Sequence, residues 1–135
     1  MNEPKRRFLE WASLQESPSP TFIPAGTVIL GDIRGEGQFV VCGEVHGDGD
    51  LLGSLVLAAT ARWIGNIRVN KAIIAGTIVG GIVAQDKIEI GRAAVIRGHV
   101  SARAVAIAKG AIVDGEIEVT SGDPMLVFEE KRGDP

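Results

Sequence analysis

Apolar and polar residues alternate along the middle of the chain over an unusually long distance. From Ile23 to Val69 every odd position is apolar or glycine except Thr27, whereas many even positions are charged or polar. This period of two indicates β-strands that turn one face to a core. One straight strand over this range would be about 155 Å long at roughly 3.3 Å per residue, far beyond normal strand length. The chain is therefore expected to bend repeatedly while the same positions stay inside.

The alternation changes phase twice further along the chain. Apolar residues and glycine recur on even positions from Ala72 to Val100, and on odd positions again from Val105 to Val119. One extra residue at a corner shifts an alternating pattern by one position. We therefore expect one such insertion at each change of phase.

A short unit, Val/Ile-x-Gly-x-Ile/Val, accounts for the bends. It recurs with a period of about seventeen residues around Gly31, Gly43, Gly76, Gly98 and Gly115, with a variant at Gly65. Three short strands per period would stack into parallel ladders, and inward glycines would relieve crowding at the turns. The pattern predicts an all-β, three-sided parallel β-helix of about five to six coils, roughly 26 Å long. The alternative, an antiparallel barrel or sandwich, would normally carry Asn-Gly hairpin turns.

Proline and glycine divide the chain into three parts. All six prolines lie outside residues 26–120, and 16 of the 18 glycines lie inside that range. Proline cannot donate to a strand ladder, so its absence favours continuous sheet pairing there. We predict a single-domain β-helix over 26–120, a disordered tail over 1–25, and a second disordered tail over 121–135 that includes at most a short capping segment.

Charge and composition exclude several classes of protein. The net charge of -3 argues against a protein that neutralises many phosphates of a nucleic acid. No run of eighteen apolar residues occurs, and the N-terminal stretch lacks the apolar core of a signal peptide. The single Cys42 cannot form an internal disulfide, as is usual in a reducing compartment. We therefore expect a cytoplasmic protein.

The stretch "AAVIRGHVSARAVAIAKGAIVDGEIEV", preceded by repeated Gly-x-Ile coils and flanked by proline-containing tails, resembles the bactofilins. The resemblance covers about residues 26–120. It implies a right-handed β-helix that joins end to end into nucleotide-independent cytoskeletal filaments, often at the inner face of the membrane, where they scaffold cell-shape or envelope-synthesis proteins. The family often has an aromatic residue in Gly-Ala-x-Phe-x-Gly, and here "GAIVDG" places Val113 at that position.

Self-association is expected at the two ends of such a helix, because the first and last coils expose unpaired strand edges. The predicted polymer contacts are the inward apolar residues of the terminal coils together with one aromatic residue of the C-terminal segment: Ile29, Ile33, Val113, Ile117, Val119 and Phe128. As single residues, all of these except Phe128 can also be ordinary core residues.

An enzyme and a binding adaptor are the alternatives to a scaffold. An apolar residue recurs every six positions from Ile33 to Val69, as in enzymes on a left-handed hexapeptide β-helix, including acyltransferases and carbonic anhydrases. A zinc site of that kind needs three histidines, whereas the chain has only His46 and His99, both on outward positions. An enzyme needs reactive groups that converge, and none are evident in the sequence, so we predict no catalytic, cofactor or metal site. No phosphate-binding glycine loop occurs, so we predict no nucleotide. A non-polymerising β-helical adaptor is the third possibility.

Membrane contact is predicted separately, in the N-terminal segment 5–15. Three cations precede three apolar residues there: Lys5, Arg6, Arg7, Phe8, Leu9 and Trp11. As an amphipathic helix, these residues would insert apolar side chains among lipid headgroups and place cations on anionic lipid. Glu10 weakens the pattern, and a solubilising tail or a lid over the first coil is the alternative.

The stretch "GEVHGDGDLLG" at 43–53 has the residue types of a metal-binding loop. Its glycines and apolar residues fall on the inward phase, and its charged residues fall on the outward phase. One turn cannot supply the six or more oxygen ligands of a calcium site. We therefore predict a glycine corner between two sides of the helix, with an acidic outer edge.

Overall fold

A computed structural model describes residues 20–121 and 124–129. These residues form thirteen β-strands, and no helix occurs in the described ranges. The strands are β1 (Thr21–Ile23), β2 (Val28–Leu30), β3 (Ile33–Val41), β4 (Glu44–His46), β5 (Gly49–Leu57), β6 (Arg62–Ile64), β7 (Ile67–Ile74), β8 (Thr77–Val79), β9 (Ile82–Ile90), β10 (Val95–Ala102), β11 (Ala104–Ala108), β12 (Ile112–Val119) and β13 (Leu126–Phe128).

Every strand pairing in this solenoid is parallel, and the pairings define three faces. The first face stacks β1, the second half of β3, the corresponding parts of β5, β7 and β9, and then β11 and β13. The second face stacks β2, β4, β6, β8 and the first parts of β10 and β12. The third face contains the first parts of β3, β5, β7 and β9 and the second parts of β10 and β12. Six strands on the second face correspond to about six coils.

Inward side chains form continuous columns along the solenoid. On the second face the column runs Ile29, Val45, Trp63, Ile78, Ile96 and Val113. On the third face it runs Ile33, Gly49, Ile67, Ile82, Val100 and Ile117. The members in the central coils are fully buried. Each buried aliphatic side chain contributes about 1.5–3 kcal/mol to folding, so these columns supply much of the driving force.

One corner is lined by a column of glycines that no other residue can replace without strain. Its members are Gly31, Gly47, Gly65, Gly80, Gly98 and Gly115, and their φ angles lie between 134° and 156°. A Cβ atom on any member after Gly31 would collide with the carbonyl oxygen of the glycine in the preceding coil. The column therefore requires glycine both for its backbone conformation and for the close approach of coils.

Gly43 and Gly76 belong to a different corner, although they share the same local sequence unit. A Cβ on Gly43 would meet the carbonyl oxygens of Thr27 and Pro24, in the turn where the Thr27 amide donates to Pro24. A Cβ on Gly76 would likewise meet the turn that begins at Ala58. The same sequence unit therefore occurs at two different corners, and the preceding coil determines which backbone atoms each glycine contacts.

The changes of phase arise from one residue fewer at a corner, so the expected insertions are wrong. Asp50 and Ser54 are four residues apart, whereas their partners Arg68 and Lys71 are three apart. The same shortening recurs further along the chain: Ser101 and Ala104 are three residues apart, whereas their partners Val83 and Lys87 in β9 are four apart. At the first of these corners the Asn70 side chain accepts a hydrogen bond from the Gly53 amide at 2.9 Å. A side-chain oxygen there accepts the bond that the shortened backbone does not.

The all-β parallel coil architecture and the inward positions are confirmed, and the antiparallel alternative is wrong. Paired strands extend beyond the predicted core of 26–120, because β1 lies within 1–25 and β13 within 121–135. Pro24 does not end the core: it begins a corner turn, where no ladder amide is needed. The stretch 43–53 is not a single corner, since it contains all of β4 and reaches three corners, at Gly43, Gly47 and Gly53.

Candidate self-association surfaces at the two ends of the solenoid

The N-terminal end of the described solenoid is formed by β1, β2 and the first half of β3. Each of these strands pairs with a following coil along one edge, and the other edge has no strand partner within the described residues. Ile29 and Ile33 lie here on inward positions and are only partly buried. An unpaired parallel edge beside incompletely covered apolar residues is a template for strand addition.

The C-terminal end is formed by β12 and β13. β12 pairs with β10, and its inward residues Val113, Ile117 and Val119 are partly buried. β13 continues the first face by pairing with β11, and it places the half-buried Phe128 beside Ala108. All six residues predicted as polymer contacts therefore lie in terminal strands, four of them on the same two columns at opposite ends. Whether they contact another copy is a prediction that remains to be tested.

Further apolar residues at the two ends escaped the sequence analysis. Leu30 is 78% exposed, and six more terminal residues have large apolar side chains at least one third exposed: Phe22, Val28, Ile112, Met125, Leu126 and Val127. Val127 pairs with Ile107 and so extends the inward column of the first face that contains Ile74 and Ile90. The sequence does contain a signal for the residues at the N-terminal end: positions 22, 28 and 30 are apolar, although the alternation predicts that side chains at even positions face solvent.

Charge differs between the two ends. Asp114, Glu116 and Glu118 project from the exposed strand β12, whereas Arg34 lies between Asp32 and Glu36 at the opposite end. Glu118 accepts a hydrogen bond from the Ser101 hydroxyl at 3.2 Å. These residues give both ends a net negative charge, three charges at the C-terminal end and one at the other. Because like charges repel, association of the two ends is expected to strengthen as ionic strength rises.

The two histidines considered as zinc ligands each lie near a different glutamate. His46 Nε2 lies 3.7 Å from Glu44 Oε2 and has no hydrogen-bond partner, and His99 Nδ1 lies 3.9 Å from Glu116 Oε2. Cys42 is half-buried. Within the described residues, no three His, Cys, Asp or Glu side chains gather as a metal site would require. A surface depression of about 640 Å³ lies beside Leu52, Asn70 and Lys71, and Lys71 is the ionisable residue in its lining.

The segment predicted to contact the membrane, residues 5–15 with Lys5 to Trp11, lies outside the described residues. Among residues 20–121 and 124–129, no helix is long and apolar enough to cross a bilayer.

Comparison with known proteins matches the solenoid to one family. Residues 21–118 match the bactofilin family model, described as polymer-forming cytoskeletal. The chain is 32% identical over 99 residues to bactofilin BacO of Myxococcus xanthus (strain DK1622), covering 73% of this chain and 79% of BacO. It is 28% identical over 104 residues to bactofilin BacP of the same organism, covering 77% of this chain and 43% of BacP. No solved structure matches the chain. The matched range contains twelve of the thirteen strands, the last of these in all but its final residue, and the chain belongs to the bactofilin family of polymer-forming cytoskeletal proteins.

Proposed function

We propose that this chain assembles end to end into filaments without nucleotide, through the exposed edges of its terminal coils. The observation that carries the proposal is the difference in burial along one column. Val45, Trp63, Ile78 and Ile96 are completely buried, whereas Ile29 and Val113 at the two ends of the same column are not. A second copy stacked on either end would cover these residues as a neighbouring coil does.

Strand pairing and apolar burial would act together at such a junction. An incoming terminal strand would bond to the free edge of β12 or β2, which satisfies amides and carbonyls that otherwise face water. At the same time it would cover the inward residues Ile117 and Val119 or Ile33. Neither contribution needs a bound nucleotide, and no phosphate-binding loop occurs in the sequence.

The resemblance supports a wider role for the filament. We propose that it lies at the inner face of the cell membrane and organises cell-shape or envelope-synthesis proteins. Segment 5–15 is the proposed membrane contact, because its cations and apolar residues match an anionic interface. Deletion of residues 2–14 should reduce co-sedimentation with vesicles that contain phosphatidylglycerol. Unchanged co-sedimentation would exclude this segment as the anchor.

Electron microscopy of charge variants tests the end-to-end assembly. Ile29→Asp and Val119→Asp each place a carboxylate where a stacked copy would need an apolar contact. Both should yield short soluble species with an intact β circular dichroism spectrum, while the wild-type chain forms filaments in the absence of nucleotide. Val83→Asp is the matched control, since Val83 is an exposed apolar residue of a central coil. Normal filaments in both terminal variants would refute the model.

A further inference from the structure

The outer surface of the first face carries an apolar ladder that the alternation did not reveal. Its members lie between the inward positions of successive strands and are linked by Cα register: Phe22, Val40, Val56, Ile73, Glu89, Ala106 and Leu126. Six of the seven are apolar, and the ladder runs from the first described strand to the last. Phe22 and Leu126 are mostly exposed, and Ile73 is 47% exposed. Val40 and Val56 are half-buried, and Ala106 is buried.

Small residues border the ladder on one side. Cys42, Ala58, Ala75 and Gly91 begin the adjacent corner in successive coils, each bonded through its amide to the coil before. A column of such short side chains leaves the outer surface flat. On the other side the bordering column contains Gln38, Ser54, Lys71, Lys87 and Ala104. The face is therefore shaped like the sheets that pack against each other in β-sandwiches, about 10 Å apart.

The third face differs in charge from the first. Its outward positions and the corners of its strands carry seven carboxylates, Asp32, Glu36, Asp48, Asp50, Asp86, Glu116 and Glu118, against three cations, Arg34, Arg68 and Arg103. On the first-face parts of the strands the acidic residue is Glu89, and Asp86, at the corner where β9 enters this face, lies 3.7 Å from Lys71. Two solenoids that approached through their third faces would repel each other, whereas approach through the first faces brings apolar ladders together.

We propose that the first face is a lateral docking surface for the first face of a second copy of this chain, so that filaments associate in pairs. This inference rests on the proposed end-to-end assembly. Aliphatic residues on a flat sheet favour another sheet over lipid, because interfacial anchors usually combine several aromatic residues with cations. Here Phe22 is the exposed aromatic residue of the ladder, and Glu89 interrupts it.

The area of the strip explains why pairing should require filaments. Six coil spacings of about 4.8 Å give a strip roughly 29 Å long, and outward residues on one strand span about 13 Å. Two such strips would bury on the order of 750 Å², less than the roughly 1,200 Å² of a stable specific interface. Single copies should therefore separate. Copies joined end to end present many strips at once, and their contacts add.

The experiment compares two apolar residues that are exposed to nearly the same extent. Ile73 lies on the first face and is 47% exposed, and Val83 lies on the third face and is 44% exposed. We expect wild-type and Val83→Asp filaments to pair, and Ile73→Asp to give single filaments of half that width and unchanged subunit repeat. Glu89→Val, which removes the charge from the ladder, should raise the paired fraction at low protein concentration.

Three outcomes would overturn the proposal. Pairing that survives in Ile73→Asp would show that another face makes the contact. Single wild-type filaments at every concentration, with binding to phosphatidylglycerol vesicles that Ile73→Asp abolishes, would assign the face to lipid. A wild-type chain that forms no filaments would contradict the end-to-end assembly as well, so failure of that model is distinguishable from failure of lateral pairing alone.

Discussion

The central and terminal coils are built from the same columns of residues but differ in what covers them. Ile78 has a strand on either side and is completely buried, whereas Val113 ends the same column and remains partly exposed. In a globular domain the core is closed by its own chain. Within residues 20–121 and 124–129 of this solenoid, no strand covers the two ends of the core. Contacts of the kind that stabilise the fold in the middle are therefore proposed to serve assembly at the ends.

The largest effect should come from a charge in the central part of the column. Ile78→Asp buries a carboxylate with no partner, which costs several kcal/mol and should unfold the chain. Val113→Asp places the same group at an open end, where water can reach it. We expect circular dichroism to show loss of β-structure for Ile78→Asp, and sedimentation to show folded but unassembled Val113→Asp.

Ile78→Asn is a useful control in the same position, because it introduces polarity without charge and should be less destabilising. A folded Ile78→Asp protein would mean that the central column contributes far less than its burial implies. An unfolded Val113→Asp protein would mean that the last coil is required for folding and is not only an end surface.

The glycine column gives a second, smaller contrast. Gly65 and Gly31 have nearly equal φ angles, 143° and 141°, but a Cβ on Gly65 would collide with the Gly47 carbonyl, while Gly31 has open space beside it. Alanine at either position incurs backbone strain of roughly 1–3 kcal/mol. Overpacking adds about 1–3 kcal/mol for Gly65→Ala only. Urea denaturation in the Val119→Asp background, proposed to be unassembled, should show this difference in the free energy of unfolding.

Equal losses for the two alanine variants would mean that φ strain alone determines the need for glycine. The contact with the preceding coil would then contribute nothing. The same measurement on Gly26→Ala offers a reference, because Gly26 has a positive φ and open space but lies outside the column.

Much of the fold follows from the sequence because burial in this solenoid has a simple period. The inward residues from Val41 to Val100 are those that the alternation selects, since each strand shows one side to the core. The assignment of glycines to corners does not follow. Gly43 and Gly98 occupy the same Val/Ile-x-Gly-x-Ile/Val unit, yet one lies over a turn and the other over a glycine carbonyl.

The ends were harder to predict than the middle. β13 follows Pro124 and has only three residues, so its pairing depends on the free edge of β11 and not on a local pattern. The outward ladder was missed because residues such as Val56 and Ile73 occupy the positions that a strict alternation assigns to solvent. A list of apolar residues on the polar phase, arranged by coil, would have revealed it.

The smallest predicted effect concerns side chains that cap the next coil. Asp32 accepts a hydrogen bond from the Asp48 amide at 2.9 Å, and Asp48 accepts one from the Asn66 amide at 3.0 Å. A hydrogen bond of this kind contributes about 0.5–1.5 kcal/mol, and its exposure favours the lower value. Asp48→Ala should lower the free energy of unfolding by about that amount, because we expect its coil to unfold only with the whole chain.

Asp32→Ala removes an equivalent bond from a terminal coil, which we expect to open locally. Its effect should therefore appear mainly as faster hydrogen exchange at the Asp48 amide and only weakly in the global transition. The Asp→Asn variants keep an oxygen acceptor and should restore most of the loss at both positions. If Asp48→Asn is as destabilising as Asp48→Ala, then charge is the important property of the residue. If Asp32→Ala lowers global stability as much as Asp48→Ala does, the terminal coil folds as one unit with the centre. The terminal coil would then be as stable as the central coils, although its apolar residues are more exposed.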